Sequence, residues 1–182
     1  MALLNARDAA GFVSQGGVIA YPTEGVFGIG CDPFNDAAVD AVLELKGRPA
    51  DKGMIVIASN ISQIDPWVAW AQIDRGSILA SWPGPVTWIL PATDQAPPLV
   101  TSNNAIAVRI PSHPPMRELL DACETPLVST SANRSSEAPA STHEQVNDYF
   151  AYSVPIVDGP LGGRQQPTEI RDARSGQVVR KG

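Results

Sequence analysis

Cysteine, histidine and long apolar runs are scarce in this sequence, and each scarcity excludes a class of protein. Two cysteines, Cys31 and Cys123, are too few for a disulfide-stabilised fold. Two histidines, with no Cys-x-x-Cys or His-Glu-x-x-His pattern, do not make a dedicated zinc site. The longest apolar runs, Met54–Ala58 and Trp67–Ala71, are far too short to cross a bilayer, and no signal peptide is expected. We therefore expect a cytoplasmic protein with free thiols and no membrane association.

Lysine and arginine are also fewer than aspartate and glutamate. The 182 residues carry 13 Lys and Arg against 19 Asp and Glu, a formal net charge of −6. This balance argues against a protein whose whole surface binds nucleic acid, and it makes the placement of the few cations informative. A hydrophobic content of 43% is enough for one packed domain over residues 1–182, and 17 prolines and 15 glycines predict short elements joined by constrained turns.

The familiar motifs for a protein nucleophile or a phosphate-binding loop are missing. The sequence has no Gly-x-Ser-x-Gly elbow, no Walker pattern and no Gly-x-Gly-x-x-Gly. Gly25, Gly28 and Gly30 occur at a different spacing, and we interpret them as a glycine-rich turn. His113 is interpreted as a surface turn residue. Catalysis by a serine, cysteine or histidine nucleophile is therefore disfavoured.

Helix and strand patterns alternate along the chain and predict an α/β fold around one twisted sheet. Helices are predicted to begin near Asn5, Asn35, Trp67, Met116 and Ser141, the third spanning Trp67–Ser81. Residues 92–104 are predicted to be a loop. The predicted strands are Val18–Tyr21, Met54–Ala58, Val86–Leu90, Ile106–Arg109, Leu127–Thr130, Ile156–Asp158 and Gln177–Arg180.

The first candidate site segment is Lys46-Gly47-Arg48-Pro49-Ala50-Asp51-Lys52, which holds three of the 13 cations. Gly47 and Pro49 should end the preceding helix. In an extended segment, Lys46 and Arg48 would then face the same side and converge on one anion, for which phosphate is well suited. A solvated basic helix end that complements the helix dipole is the alternative, and spacing alone does not decide between them.

The second candidate segment is Leu127–Arg134, where an apolar strand runs into small polar residues. If the strand continues, Ser129, Ser131 and Asn133 line one face at its carboxyl end, which is where open α/β sheets bind ligands. Their hydroxyl and amide groups would orient a polar ligand without a counter-charge. The alternative is a turn that satisfies its own backbone groups.

Isolated arginines mark two further segments. Arg109 interrupts an apolar strand, so it needs an anionic partner, either on a ligand or from an internal carboxylate. The glycine-rich segment Gly159–Arg164, followed by Pro167–Ile170 and Arg180, would close over a ligand. A flexible surface loop is the alternative for this segment.

Five motifs occur in sequence order between Val18 and Arg180. They are Tyr21-Pro-Thr-Glu24, Phe27-Gly-Ile-Gly30-Cys-Asp32, Lys46-x-Arg48-Pro49, Ser129-Thr-Ser-Ala-Asn133 and Pro167-Thr-Glu-Ile170. In this order they resemble the motifs of the YrdC-like threonylcarbamoyl-AMP synthases, in their short, single-domain bacterial form. The resemblance implies a single-domain twisted mixed sheet with flanking helices and a concave basic face.

The same resemblance implies an activity. The expected enzyme is a nucleotidyltransferase that uses ATP, L-threonine and bicarbonate, with Mg2+ as cofactor, to form threonylcarbamoyl-adenylate and pyrophosphate. The adenylate would feed a separate tRNA threonylcarbamoyl transferase complex that modifies the adenosine next to the anticodon, with direct tRNA contact left open. The competing interpretations are a non-catalytic RNA-binding module and a carbamoyl-adenylate-forming domain with a different acceptor.

The resemblance also assigns roles to individual residues, and neither a protein nucleophile nor a protein-bound metal is among them. By the family pattern, the expected ATP-binding residues are Lys46, Arg48, Ser131 and Arg180. We add Lys52, which stands where many members have asparagine, as a further phosphate ligand, and Asn133 from the polar segment after the strand. The expected threonine- or carbamate-binding residues are Thr23, Arg109, Ser129 and Thr168.

Two positions depart from the family pattern on the threonine side. Gly25 stands where many members have a threonine that contacts the amino acid, and Ile57 stands where many have a histidine. The threonine pocket is therefore expected to be built differently here.

Overall fold

The computed structural model describes residues 3–47, 54–165 and 167–182, and within these ranges one mixed sheet is flanked by helices. The helices are α1 Ala6–Ser14, α2 Asp36–Lys46, α3 Arg75–Ala80, α4 Pro114–Cys123 and α5 His143–Phe150. The strands are β1 Ile19–Pro22, β2 Phe27–Gly30, β3 Ile55–Ile57, β4 Val86–Pro91, β5 Thr101–Ser102, β6 Ala105–Arg109, β7 Leu127–Ser131, β8 Glu169–Asp172 and β9 Val178–Arg180.

The sheet is mixed, as predicted. Its strand order is β1-β2-β7-β3-β6-β4-β8-β9, and the short β5 pairs with β6. The β3–β6 and β4–β8 pairs are parallel, and the other pairs are antiparallel. Strand β7 therefore joins the β1–β2 hairpin to the rest of the sheet.

The two faces of the sheet are covered to different extents. Val56, Val108 and Val128 point to one face, where they form a large apolar cluster with residues of α2, α3 and α5. Ile57 and Leu127 belong to the other face, because side chains alternate along a strand, and they pack with residues of α1 and α4. The second cluster covers only part of its face, which leaves room for a cavity beside it.

Helix ends follow the capping pattern of the sequence. The Asn5 side chain accepts a hydrogen bond from the amide of Asp8 at 2.9 Å, and the Asn35 side chain accepts one from Ala38 at 3.0 Å. Gly47 ends α2 in the left-handed conformation, with φ of 57°. The predicted helix end at Gly47 is confirmed, and it places Lys46 in the last turn of α2.

The helix predicted over Trp67–Ser81 is wrong in its first half. Only α3 is α-helical, and 3-10 turns occupy Asp65–Trp67 and Trp70–Gln72. Backbone groups of residues 67 and 69 bond instead to residues 93 and 91 at the end of β4. The side chain of Asp74 then caps a new helix by accepting from the amide of Gly76. Residues 67 and 69 therefore form hydrogen bonds with the chain at the end of β4 and not the bonds of the predicted helix.

Of the three glycines predicted to form a turn after the first strand, Gly25 lies in the bend at residues 24–26, whereas Gly28 and Gly30 belong to strand β2. A Cβ atom added at Gly30 would lie 1.7 Å from the carbonyl oxygen of Val128 on β7. Glycine is required there because two backbones approach closely, not because the chain turns. The predicted strand Ile156–Asp158 is reduced to isolated bridges to β1 and to Leu4, whereas β8 was not predicted.

None of the helices in the described ranges has the length and apolar character of a membrane span.

Candidate functional site

A cavity of about 930 Å³ lies on the partly covered face of the sheet. Alternate residues of two strands line it: Ala107 and Arg109 from β6, and Ser129 and Ser131 from β7. The predicted side-by-side arrangement of Ser129 and Ser131 is confirmed. The floor of the cavity is therefore built by the same strands that build the core.

Most of the predicted site residues meet at this cavity, although they come from distant parts of the chain. The cavity is lined by Thr23, Arg109, Ser129, Ser131, Thr168 and Arg180. Lys46 and Asn133 lie elsewhere, and Arg48 and Lys52 fall outside the described residues. Residues assigned to ATP and residues assigned to threonine thus share one cavity, and their individual roles stay predictions.

Arginine is the dominant charged residue of the cavity wall, although the protein is acidic overall. The described lining residues include four arginines and two carboxylates: Arg109, Arg164, Arg174 and Arg180, with Glu24 and Asp172. Partial burial, followed by the positive charge of Arg109, lowers the pKa of Arg180 below its ordinary value. An anionic ligand would relieve this repulsion. The concave basic face as a whole stays a prediction.

Arg109 finds its anionic partner inside the protein. Its Nη1 atom donates to Oε2 of Glu24 at 2.7 Å, and the two residues are only 5% and 9% exposed. A charge on an apolar strand needs such a partner, as the sequence indicated. Glu24 itself was not predicted as a site residue. The available signal was its position directly after a buried strand, within the Tyr21–Glu24 motif.

Thr168 and Arg180 approach the cavity together from β8 and β9. The Arg180 guanidinium donates to the carbonyl oxygen of Thr168, at 2.9 Å from Nη2. The register explains this contact, because Arg180 lies opposite Ile170, two residues after Thr168. Arg180, which is assigned to ATP, therefore holds the backbone of Thr168, which is assigned to threonine.

A buried tyrosine, Tyr21, hydrogen-bonds to the strand that carries Ser129. The Tyr21 hydroxyl donates to the carbonyl oxygen of Val128 at 3.3 Å. Burial raises the pKa of Tyr21 far above its ordinary value, and a hydrogen bond with Ser129 opposes this shift. Tyr21 therefore stays protonated and supports the β7 backbone that presents Ser129.

Lys46 contacts the turn that follows β7. Its ammonium donates to the carbonyl oxygens of Ser131 and Asn133, and to Oδ1 of Asn133 at 3.4 Å, while the residue is only 4% exposed. Of the two interpretations left open by the sequence, the helix end is the one observed, because Lys46 is the last residue of α2, but its side chain is buried and not solvated. Lys46 thus holds in place the segment that presents Ser131 to the cavity, and its contact with ATP stays a prediction.

Asn133 belongs to a turn, because the strand does not continue to this residue. Strand β7 ends at Ser131, and the amide of Asn133 donates back to the carbonyl of Ser131 at 3.0 Å. The side-chain amide of Asn133 donates to the carbonyl oxygens of Arg134 and Glu137 at 2.8 and 3.0 Å. The alternative of a turn that satisfies its own backbone therefore describes this residue.

The segment Gly159–Arg164 lies along the rim of the cavity and is called the rim segment below. The amide of Gly162 donates to the carbonyl of Thr23 at 3.0 Å, and the amide of Arg164 donates to the carbonyl of Glu24 at 2.8 Å. His113, expected on the surface, is only 8% exposed, and its Nε2 lies 3.0 Å from the carbonyl oxygen of Pro160. That expectation is wrong, because His113 packs beneath this segment and anchors it.

The described residues contain no group of three or more His, Cys, Asp or Glu side chains that would hold a metal ion. Burial raises the pKa of Cys31 to about 12 and that of Cys123 to about 11, so both thiols are protonated at neutral pH. Neutral thiols are poor nucleophiles.

The comparisons with known proteins identify the family of this chain. The Sua5/YciO/YrdC family model, described as telomere recombination, matches residues 11–182. The chain belongs to the Sua5/YciO/YrdC family. A Xanthomonas oryzae pv. oryzae protein named threonylcarbamoyl-AMP synthase is 49% identical over 183 residues, covering 98% of each chain.

Solved structures of the Sua5/YciO/YrdC family share the fold. P. abyssi Sua5 complexed with L-threonine superposes with a TM-score of 0.83 at 30% identity, covering 92% of this chain and 50% of that one. E. coli YciO gives a TM-score of 0.82 at 26% identity, covering 97% and 88%. The chain therefore spans about half the length of Sua5, but nearly the full length of its Xanthomonas relative.

The structure explains both departures from the family pattern. A Cβ atom at Gly25 would lie 2.9 Å from the carbonyl oxygen of Arg164, so the rim segment occupies the space that a side chain would need. Ile57 is fully buried in the apolar cluster under α1 and α4. Neither position contributes a polar group to the cavity in this member of the family.

Replacing Gly25 by threonine should displace the rim segment. We expect Gly25→Thr to lower the free energy of unfolding by about 1–3 kcal/mol, because the new side chain meets backbone that cannot rotate away. The matched control is Gly11→Thr in α1, where an added Cβ meets nothing within 4 Å. This control should be neutral or slightly stabilising, since glycine is the poorer helix former. Urea unfolding measures both, and equal stability of the two variants would contradict the close contact.

Proposed function

We propose that this chain synthesises L-threonylcarbamoyladenylate from ATP, L-threonine and bicarbonate, with release of pyrophosphate. The observation that carries the proposal is the meeting of Thr23, Arg109, Ser129 and Thr168 at one cavity, although they come from four separate segments. The name of the Xanthomonas relative and the L-threonine complex of Sua5 support the choice of substrate.

The threonine end of the site is proposed to lie at Arg109, Ser129 and Thr168. Arg109 supplies a guanidinium for the carboxylate of the amino acid, a pairing that suits its planar donors. Hydroxyl groups of Ser129 and Thr168 both donate and accept, so they can orient a small polar ligand. Thr23 closes this end, where its hydroxyl already donates to the carbonyl of Val26 at 2.7 Å.

The ATP end is proposed to lie toward Ser131 and Arg180, with Arg48 and Lys52 binding the polyphosphate. ATP carries about four negative charges near neutral pH, and several fixed cations are the usual way to hold such a group. The proposed Mg2+ enters with ATP and is held chiefly by phosphate oxygens. The described residues do not form a metal site of their own, so the protein's part is to hold the nucleotide.

The chemistry proposed for the cavity needs no nucleophile from the protein. The threonine ammonium first loses a proton to solvent. The neutral amine then attacks bicarbonate, a C–N bond forms, water leaves and a carbamate results. A carbamate oxygen then attacks the α-phosphorus of ATP, and the bond to the β-phosphate oxygen breaks to release pyrophosphate. The protein contributes position and charge stabilisation, while the rim segment excludes water from the reactive adenylate.

The product defines the place of this reaction in the cell. An acyl-type adenylate is hydrolysed readily, so it must pass quickly to an acceptor. We propose that the acceptor is tRNA, reached through a separate threonylcarbamoyl transferase complex in the cytoplasm.

The deciding experiment is pyrophosphate release from ATP and bicarbonate, measured with and without L-threonine. We expect release to depend on L-threonine, with L-valine and L-serine as controls that remove the hydroxyl or the methyl group. Mass spectrometry should detect the threonylcarbamoyl adenylate. Release that ignores threonine but responds to another amine would indicate a different acceptor. No release, together with tight and salt-sensitive RNA binding, would indicate an RNA-binding module.

A further inference from the structure

The ion pair in the cavity wall is incomplete. Oε1 of Glu24 and Nε of Arg109 are buried, and neither has a hydrogen-bond partner among the described residues. Both residues line the cavity. Buried polar atoms are normally hydrogen-bonded, so the pair has unused capacity for one acceptor and one donor contact.

The rim segment holds the backbone of Glu24 in place. The carbonyl oxygen of Glu24 accepts from the amide of Arg164 at 2.8 Å, and a Cβ atom at Gly162 would lie 2.9 Å from the Cα atom of Glu24. The rim segment thus packs directly on the backbone of Glu24. Glu24 therefore lines the cavity on a constrained backbone, and such constraint favours precise recognition.

We propose that Glu24 binds the α-ammonium group of the amino-acid substrate while Arg109 binds its carboxylate. The inference deepens the proposed function and rests on it, because it assumes an amino acid in this cavity. An α-amino acid carries its two opposite charges on one carbon atom. A receptor must therefore place a cation and an anion side by side, as Nη1 of Arg109 and Oε2 of Glu24 are, 2.7 Å apart.

Charge balance gives the pair its specificity. A zwitterion adds no net charge to the buried pair, and each of its charges meets the opposite one. A 2-hydroxy acid brings only a carboxylate, which is attracted by Arg109 and repelled by Glu24. The pair therefore selects an amino acid against the hydroxy acid of the same shape.

The test compares L-threonine with the 2,3-dihydroxybutanoate of the same configuration, which replaces only the amino group. Calorimetric titration of the full chain, without ATP, gives both affinities. We expect the wild type to prefer threonine and Glu24→Gln to reduce this preference at least tenfold, with binding of the hydroxy acid unchanged or tighter. Glutamine keeps the size of the side chain and an oxygen for Arg109, so only the charge is lost.

Glu169→Gln is the matched control. Glu169 also pairs with an arginine, Arg171, but it does not line the cavity. Its substitution should leave the preference for threonine unchanged.

The outcomes separate this inference from the proposed function. Threonine-dependent pyrophosphate release, with equal wild-type affinity for the two ligands, would overturn the role of Glu24 alone. A preference that survives Glu24→Gln would do the same. The wild-type comparison keeps the inference testable if the variant does not fold. Absence of threonine-dependent release would reject the proposed function itself.

Discussion

Replacing Arg109 by methionine should lower the free energy of unfolding by about 3–5 kcal/mol, because it leaves the Glu24 carboxylate buried without a counter-charge. In a chain of this length that loss corresponds to a fall in melting temperature of roughly 6–20 °C. Threonine-dependent turnover should fall at least about tenfold, equivalent to ~1.4 kcal/mol, because the proposed carboxylate contact is lost. Thermal and urea unfolding measure the first effect, and pyrophosphate release measures the second.

Two further variants show whether this loss arises from an unpaired buried charge. The double variant Arg109→Met with Glu24→Gln should recover much of the stability, because no uncompensated charge remains. Arg75→Met breaks an ion pair with Asp65 of similar length, 2.8 Å, whose side chains are 46% and 45% exposed. That control should change the stability by about 0–1 kcal/mol. An equally small loss in Arg109→Met would show that the buried pair does not stabilise the fold.

Replacing Lys46 by methionine should be the second most damaging change. Two carbonyl oxygens and the side-chain oxygen of Asn133 lose a charged donor in a buried setting. We expect the free energy of unfolding to fall by about 2–4 kcal/mol, since relief of the buried ammonium offsets part of the loss. Turnover should also fall at least about tenfold, because the turn after β7 no longer holds Ser131 in place.

Stability distinguishes a positioning lysine from a lysine that binds phosphate alone. A residue of the second kind would lose ATP affinity and turnover while the folded protein stays as stable as before. Lys181→Met removes an exposed lysine near the chain end and serves as the control, with little change in stability expected. Unchanged unfolding of Lys46→Met would therefore reject the positioning role and favour direct phosphate binding.

The periodic parts of the fold could be predicted from the sequence. Strands such as Val86–Leu90 and Leu127–Thr130 differ from the observed bounds by one residue, because alternation and β-branched side chains reflect their burial directly. Helix caps at Asn5 and Asn35 are local chemistry and were also predictable. The grouping of Arg109 with Ser129 came only from the family resemblance. Strands β6 and β7 run in opposite directions on either side of β3, so their carboxyl ends do not meet.

The remaining features depend on contacts between distant residues. Gly30 looks like a turn residue until the carbonyl of Val128 is seen beside it. Glu24 became a site residue only when β6 brought Arg109 to it across 85 positions of sequence. Asn133 leaves the strand after Ser131, and the buried ammonium of Lys46, 87 positions away, donates to its carbonyl oxygen. No local pattern carries such information, since each preference was overridden by packing.

Strand β7 connects the two parts of the sheet that supply the two members of the buried ion pair. Glu24 follows β1, on the two-stranded side of the sheet, whereas Arg109 ends β6, on the larger side, and β7 is the strand that joins these sides. A chain whose hairpin detaches at β7 would retain two separate patches of opposite charge, neither able to recognise a zwitterion. If Glu24 and Arg109 bind threonine as proposed, a chain whose hairpin has not paired with β7 should not bind it.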